Sequence, residues 1–461
     1  MTTTNQSISG RITINTLPDD VLVDIFYFYV NDWDIGTSGW HALVHVCQRW
    51  RHIVLGSPRR LNLRLVYRGI MSEMQDIWPA LPVAICPRTY SPSICENITA
   101  FLDSEHRHRI CAMLLFPIPV SRWERFAAAM QKPIPELTDL EISVDEGTVT
   151  SPPDSFLGGS APRLRRLVLG NCPFRGLPKL LLSAHHLVVL SLWHIPYFGY
   201  FSPQALVTAL SVMSRLESLY VGFHFSLLRP DLASPPPLTR SVLPSLTRLV
   251  FRGVHEYLED LLAQIEVPLL NNLDIFFFMD FLFAVPQLYR LISQTESFKT
   301  CHKALVYTSN HAIRFSNFRE TQESLGLSLA TWCRDLNRQL SLLARLCSSS
   351  LRLSTLVQLD IVDPVDSISQ SHQNVNTTQW LELLELFTAV KDLRLANQVA
   401  PHVCRALDEL AEGRVAGVLP ALQNIFLGGL QPTEPVPKFI EGFVAARQLS
   451  GHPVAVYPWR D

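Results

Sequence analysis

The sequence predicts an α/β protein: a small helical N-terminal unit followed by a long array of stacked strand–helix units. Three observations carry that expectation. Residues 14–65 hold two apolar patterns at helical spacing. A short leucine motif then recurs along most of the remaining chain. The composition, 48% hydrophobic and 17% charged over 461 residues, is apolar enough to bury a large core and argues against wholesale disorder.

The N-terminal stretch 1–13 is polar and is expected to be disordered. It lacks the apolar segment of a secretory signal. In the segment 14–65, Thr16 can cap a helix and Pro18 suits its first turn, where a missing N–H costs nothing. Asp19 and Asp20 then sit where the helix dipole favours negative charge. Val21, Leu22, Ile25 and Phe26 follow on one face. A second periodic run, Trp40, Leu43, Val44, Cys47, Trp50 and Val54, stops at Gly56 and Pro58. The proline-rich stretch 66–100 reads as a linker packed on the second domain.

From 101 to 461 the recurring unit is L-x-x-L-x-[LIV]. Regular copies start at residues 137, 164, 187, 216, 246 and 270. Looser copies start at 356, 390 and 422. The regular copies lie 23 to 30 residues apart, the period of leucine-rich repeats, with one strand and one helix or turn per unit. No unit buries its apolar face alone, so neighbours stack into one core. Helices are expected at 203–213, 256–265, 378–388, 401–412 and 436–449. The middle, about 287–350, is irregular and reads as an expanded repeat with three strands and a helix near 335–348. The stretches 229–240 and 363–379 read as exposed loops, and 452–459 as a terminal strand.

The string INTLPDDVLVDIF, with HVCQRWRHIV about thirty residues on, resembles an F-box. Phrases such as SPRRLNLRLVY, DIWPALP and PDSFLGGSAPRLRRL extend the resemblance to fungal F-box-like proteins with leucine-rich-repeat tails. The architecture implied is an irregular solenoid, or horseshoe, behind an F-box. The function implied is that of a non-catalytic substrate-recognition subunit of an SCF-type ubiquitin ligase. Its partners would be a Skp-type adaptor, through it a cullin, and a protein target. By residue match, Leu17, Pro18, Val21, Leu22, Ile25, Phe26 and Trp50 are candidates for the adaptor contact, some of them serving the module's own core. Strand residues between the leucines, Arg165, Arg166, Trp193, Tyr220 and Arg248, are weaker candidates for target contact. The alternative is a leucine-rich-repeat scaffold or sensor that acts without a ligase.

Other classes find little support. Lys+Arg is 39 and Asp+Glu is 41, so net charge −2 gives no electrostatic argument for nucleic acid. Nine scattered cysteines without a C-x-x-C fit free thiols in a reducing compartment, cytoplasmic or nuclear. No stretch approaches the roughly 20 apolar residues of a membrane helix. Nucleotide-loop, nucleophile-elbow and zinc-protease motifs are missing, so neither catalysis nor a cofactor is expected. His255-Glu256 begins like a zinc motif, but Glu259 stands where the second histidine belongs. EHRHRIC (105–111) reads as a solvated basic turn, with metal or anion binding as the sharper alternative. Gly158-Gly159-Ser160 reads as a turn before a repeat strand.

Overall fold

The computed structural model describes residues 14–31, 39–68, 81–147, 151, 155–173, 177–196, 199–224, 240–278, 285–299, 301–309, 311–318, 325–363 except 351–352, 376–410, 417–429 and 437–459. The expected disordered N-terminus and most of the two expected loops lie outside these residues. The chain divides into two compact units, Met1–Gly176 and Leu177–Asp461.

In the first unit a 3-10 turn, Ile14–Thr16, leads into helix α1, Asp19–Asn31, with Asp19 and Asp20 in its first turn as expected. The second apolar run is two helices rather than one: α2, Trp40–Val44, and α3, Gln48–Gly56. The break falls at Cys47, whose backbone is extended and whose Sγ accepts from the Trp50 N–H at 3.5 Å. A side chain thus satisfies a donor that no preceding helical turn can reach.

Five parallel strands come next in chain order: β1 (Leu65–Tyr67), β2 (Val83–Ile85), β3 (Ile110–Ile118), β4 (Asp139–Val144) and β5 (Arg166–Gly170). Helix α4, Pro92–Asp103, joins β2 to β3, and α5, Val120–Ala129, joins β3 to β4. Parallel neighbours require such crossovers. The stretch expected as a packed linker therefore contributes a strand and a helix. Its prolines hid them: Pro82 and Pro87 only flank the buried Val83-Ala84-Ile85, and Pro92 occupies the first turn of a helix that Ser91 caps.

The second unit opens with helix α6, Leu177–Leu181. Its strands are β6 (Val189–Ile195), β7 (Ser218–Phe223), β8 (Ser241–Val242), β9 (Arg248–Gly253), β10 (Ile265–Glu266) and β11 (Asn272–Phe277). Then come β12 (Lys303–Thr308), β13 (Ala312–Phe318), β14 (Leu325–Trp332), β15 (Gln358–Val362), β16 (Asp392–Leu395), β17 (Asn424–Gly428) and β18 (Ala455–Trp459). Helices α7 (Pro203–Leu210), α8 (His255–Gln264), α9 (Pro286–Gln294), α10 (Leu336–Ser350), α11 (Thr377–Leu384), α12 (Ala400–Asp408) and α13 (Glu441–Leu449) cover one side. The sheet order is β6-β7-β9-β11-β14-β13-β12-β15-β16-β17-β18, with β8 and β10 forming a separate parallel pair. Only β13 runs antiparallel to its neighbours; the other pairings recorded in this sheet are parallel. The irregular middle is thus an insertion inside an unbroken sheet.

The leucine motif explains this regularity. In all nine copies the strand begins at the third motif residue. The first, fourth and sixth residues are buried in every copy, from Leu137, Leu140 and Ile142 to Leu422, Ile425 and Leu427. The first residue donates its N–H to the carbonyl three positions earlier, as in Leu216 to Met213 (3.2 Å) and Leu246 to Leu243 (3.3 Å). The second donates to its counterpart one strand back, as in Thr247 to Glu217 (2.9 Å) and Gln423 to Lys391 (2.9 Å). The tight turn points one apolar side chain inward, and the strand's period of two points the next two the same way. β12 obeys the rule with Cys301, Ala304 and Val306 in place of leucines; β3 buries Ile110, Met113 and Leu115 at the same three positions but starts two residues earlier, at Ile110.

Glycine shapes the turn into β5. Gly158 and Gly159 have φ of +69° and +73° just before that strand, and a Cβ on Gly158 would come within 2.6 Å of Pro133. No helix among the described residues is long and apolar enough to cross a membrane.

Candidate functional site

Helix α1 divides its apolar residues between two faces. Leu22 and Phe26, four apart, are buried, and the Phe26 ring meets Trp50 of α3 at 4.7 Å between centroids. Val23 is buried with them. Val21, Ile25 and Phe28, at i, i+4 and i+7, are exposed on another face. Pro18 is exposed one turn before Val21. Leu17 and Trp50 are half-buried between the two sets.

The seven candidates therefore separate. Leu22 and Phe26 hold the module together. Pro18, Val21 and Ile25 lie open to solvent, and Leu17 and Trp50 straddle. Sequence matching missed Phe28, the most exposed large apolar side chain described in this module at 73%, along with Tyr29 four residues beyond Ile25. The signal was present, because Phe28 continues the 21–25 stripe by one turn. Half of the large exposed apolar side chains among the described residues lie in this short module: Ile14, Val21, Ile25, Tyr27, Phe28, Tyr29 and Val46. Such density on so little chain is the usual mark of a surface that is covered by another molecule.

Polar contacts brace this face from behind. Arg49 of α3 pairs with Asp19 at 2.6 Å and donates to the Leu17 carbonyl at 2.5 Å, fixing the entry of α1. Arg60 pairs with Asp24 at 2.7 Å. Trp40 Nε1 donates to the Arg64 carbonyl at 2.9 Å, tying α2 to the start of β1. Exposed pairs of this kind contribute only about 0–1 kcal/mol each, so their role is orientation. The Trp50 Nε1–H is buried and has no hydrogen-bond acceptor among the described residues. Burial, with neighbouring His45 second, holds the His41 imidazole below its ordinary value and favours its neutral form.

The candidate target-contact residues fall on both units. In the first, Arg165 is exposed and Arg166 is half-buried, paired with Glu141 one strand back at 2.8 Å. In the second, Arg248 is exposed, Tyr220 is half-buried, and Trp193 is half-buried near the end of β6. The sheet places Tyr220 under the Arg252 guanidinium, 5.8 Å from the ring centroid. Asp274, one strand further, lies 3.8 Å from Arg314. Register brings these together, since Tyr220, Val250 and Asp274 occupy one row and Arg252 is cross-strand to Gly222 and Phe276. Arg252, Asp274 and Arg314 were missed because single-residue motif positions do not show which strands neighbour which. On the next strands, Lys303 reaches Asp360 at 2.9 Å, and Arg394 lies over Phe426 at 5.3 Å.

No grouping of three or more His, Cys, Asp or Glu side chains placed to hold a metal occurs among the described residues. Glu259, where a zinc motif would have its second histidine, does something else. Its two oxygens accept from the backbone N–H of Gln287 (2.8 Å) and Leu288 (3.0 Å) at the start of α9. Compared with protein-family models and with curated proteins, the chain matches none.

Proposed function

We propose that the chain is an F-box-type substrate-recognition subunit of an SCF-type ubiquitin ligase, with an irregular leucine-rich-repeat solenoid behind the F-box. The observation that carries this reading is the apolar stripe Val21, Ile25 and Phe28 on α1, outside a core that Leu22 and Phe26 already fill. The stripe gives a Skp-type adaptor a helical face to cover. Each such side chain, once fully covered, contributes about 1.5–3 kcal/mol less what its present partial burial already provides. Leu17, Pro18 and Trp50 would frame that contact, and the adaptor would bring a cullin.

The role is non-catalytic. A target held by the repeat surface gains effective concentration near the ligase's charged enzyme, and that proximity is the mechanism. The two adjacent rows that hold Tyr220 and Asp274, and Arg252 and Arg314, are the part of the second unit's sheet best equipped for a protein target, since they combine aromatic, cationic and anionic groups. The repeat reading rests on the leucine motif's fixed relation to strand starts and on the predominantly parallel order.

The test is co-purification with a Skp-type adaptor and cullin. Wild type should capture both. A Val21→Ser/Ile25→Ser/Phe28→Ser variant, which leaves Leu22 and Phe26 in place, should fold and capture neither. If folded wild type captures neither, the module is only an end piece of the repeats, and the chain acts as a scaffold without a ligase.

A further inference from the structure

Two imidazoles stand side by side where β6 and β7 end. His194 and His224 are both exposed, and their ring centres lie 6.2 Å apart. The Trp193 ring centre is 5.1 Å from that of His194. The two histidines are far apart in sequence, so the pairing of neighbouring strands is what joins them.

The backbone creates this juxtaposition. β6 and β7 run in register to Leu192 opposite Val221, and pairing resumes at Ile195 opposite Phe223. Trp193 and His194 together therefore face the single residue Gly222, a β-bulge of the kind that re-aims side chains. His194 takes a left-handed φ of +52° within it. The Ile195 carbonyl then accepts from the His224 N–H at 2.8 Å and ties the two strand ends together.

The turn itself does not need an imidazole. In the preceding motif copy the eighth residue is Asn171, which takes a φ of +53° and donates its amide to the Val144 carbonyl at 2.9 Å. Asparagine tolerates this conformation because its short polar side chain bonds locally. His194 is likewise the eighth residue of its own copy, yet it sets an imidazole beside a second imidazole.

We propose that His194 and His224 together bind a divalent cation of the zinc, nickel or copper class. Imidazole nitrogen is a preferred ligand of these ions, whereas magnesium and calcium take oxygen. Zn–N bonds of about 2.0–2.1 Å put the centres of two imidazoles on one tetrahedral ion about 5 Å apart, so these rings must close by about 1 Å. They meet edge to face at 81°, and two exposed side chains can make that adjustment by rotation while the strands stay in place. Two protein donors leave the remaining positions to water, so the ion is exchangeable and not a four-ligand structural staple. The inference is independent of the adaptor reading, because both histidines belong to the second unit and the α1 stripe to the first.

The test is calorimetric titration of the full chain, without a histidine tag, at neutral pH. Zn²⁺ should bind and Mg²⁺ should not. His194→Asn, which keeps a residue suited to the left-handed turn, and His224→Gln should each weaken Zn²⁺ binding at least about tenfold, no less than the loss of an outer-shell partner costs in metal sites generally. His185→Asn/His186→Asn, at an exposed pair of histidines in the same unit, should leave binding unchanged. Cu²⁺ gives a second readout, since a bound copper ion quenches a nearby indole. The first equivalent should quench wild type, and Trp193→Phe should remove most of that quench. Circular dichroism checks that each variant folds. Absent Zn²⁺ binding overturns the proposal, and so does unchanged binding in the His194 and His224 variants. An equal loss in the His185/His186 variant, or a quench that survives Trp193→Phe, places the ion elsewhere and overturns it too.

Discussion

Cys47 is the one exposed thiol among nine, and it sits at the cap of α3 beside Trp50. The other eight are buried. Desolvation pushes Cys86 up to about 12, a shift only partly opposed by Arg68 and Arg64, and it raises Cys172, Cys347 and Cys404 as well. A short iodoacetamide pulse on native protein should therefore modify Cys47 alone, and all nine thiols after denaturation, as read by peptide mass spectrometry. Fast labelling at any of the other eight would contradict their burial. How much the sequence showed also divides by residue. The candidates on α1 were legible as an apolar helix, but one helical face and its neighbour look alike until the packing partner is known. Leu22 against Val21 is the plain case: adjacent letters of similar chemistry, one sealed against the module's core and one open.

The strands were legible because their signal is local: a turn, then alternation. The nine motif copies mark nine strand starts; β3 was not among the expected strands, and β12, expected as a strand, did not read as a motif copy, because Ile-Met-Leu and Cys-Ala-Val fill the three inward positions. Some helix ends were harder to read, since acceptors for their first turns come from elsewhere in the chain. Glu259 on α8 accepts from the first turn of α9, and Asp408 on α12 accepts from the Phe443 N–H of α13 at 2.9 Å. Asn337 on α10 likewise accepts from the Asn376 N–H just before α11, at 2.8 Å. Each acceptor belongs to the preceding helix, so capping here also sets the spacing of neighbours. Glu259→Ala and Asp408→Ala should each cost about 1–2 kcal/mol in urea unfolding, the value of a lost cap. Burial raises the Glu259 carboxyl against the pull of its two backbone donors. A cost near zero at both positions would mean that the helices are placed by their apolar faces alone.

At the scale of the whole molecule, the buried thiols and phenols predict a response to alkali. The unfolded chain releases thiol protons near the ordinary value of 9.0, while Cys86 in the folded chain holds its proton to about 12. Tyr257, wholly buried, is raised in the same direction. A folded pKa above the unfolded one contributes stability that is complete below pH 9 and is lost as pH climbs toward 12. The melting temperature should therefore fall steadily above about pH 9. A flat profile to about pH 11 would show that these groups ionise without opening the core. The second unit's insertion, finally, obeys a parity rule. From β11 the chain advances past two sheet positions to lay down β12, then fills the gap backwards with β13 and β14 before α10 carries it on to β15. Because β13 alone is reversed, β14 still offers β11 a parallel edge and β12 still offers one to β15. Two extra strands cancel each other's direction; one would have inverted every later strand. Strands joined here by tight turns can be added only in pairs, and a hairpin is the smallest such change that leaves the later strands parallel.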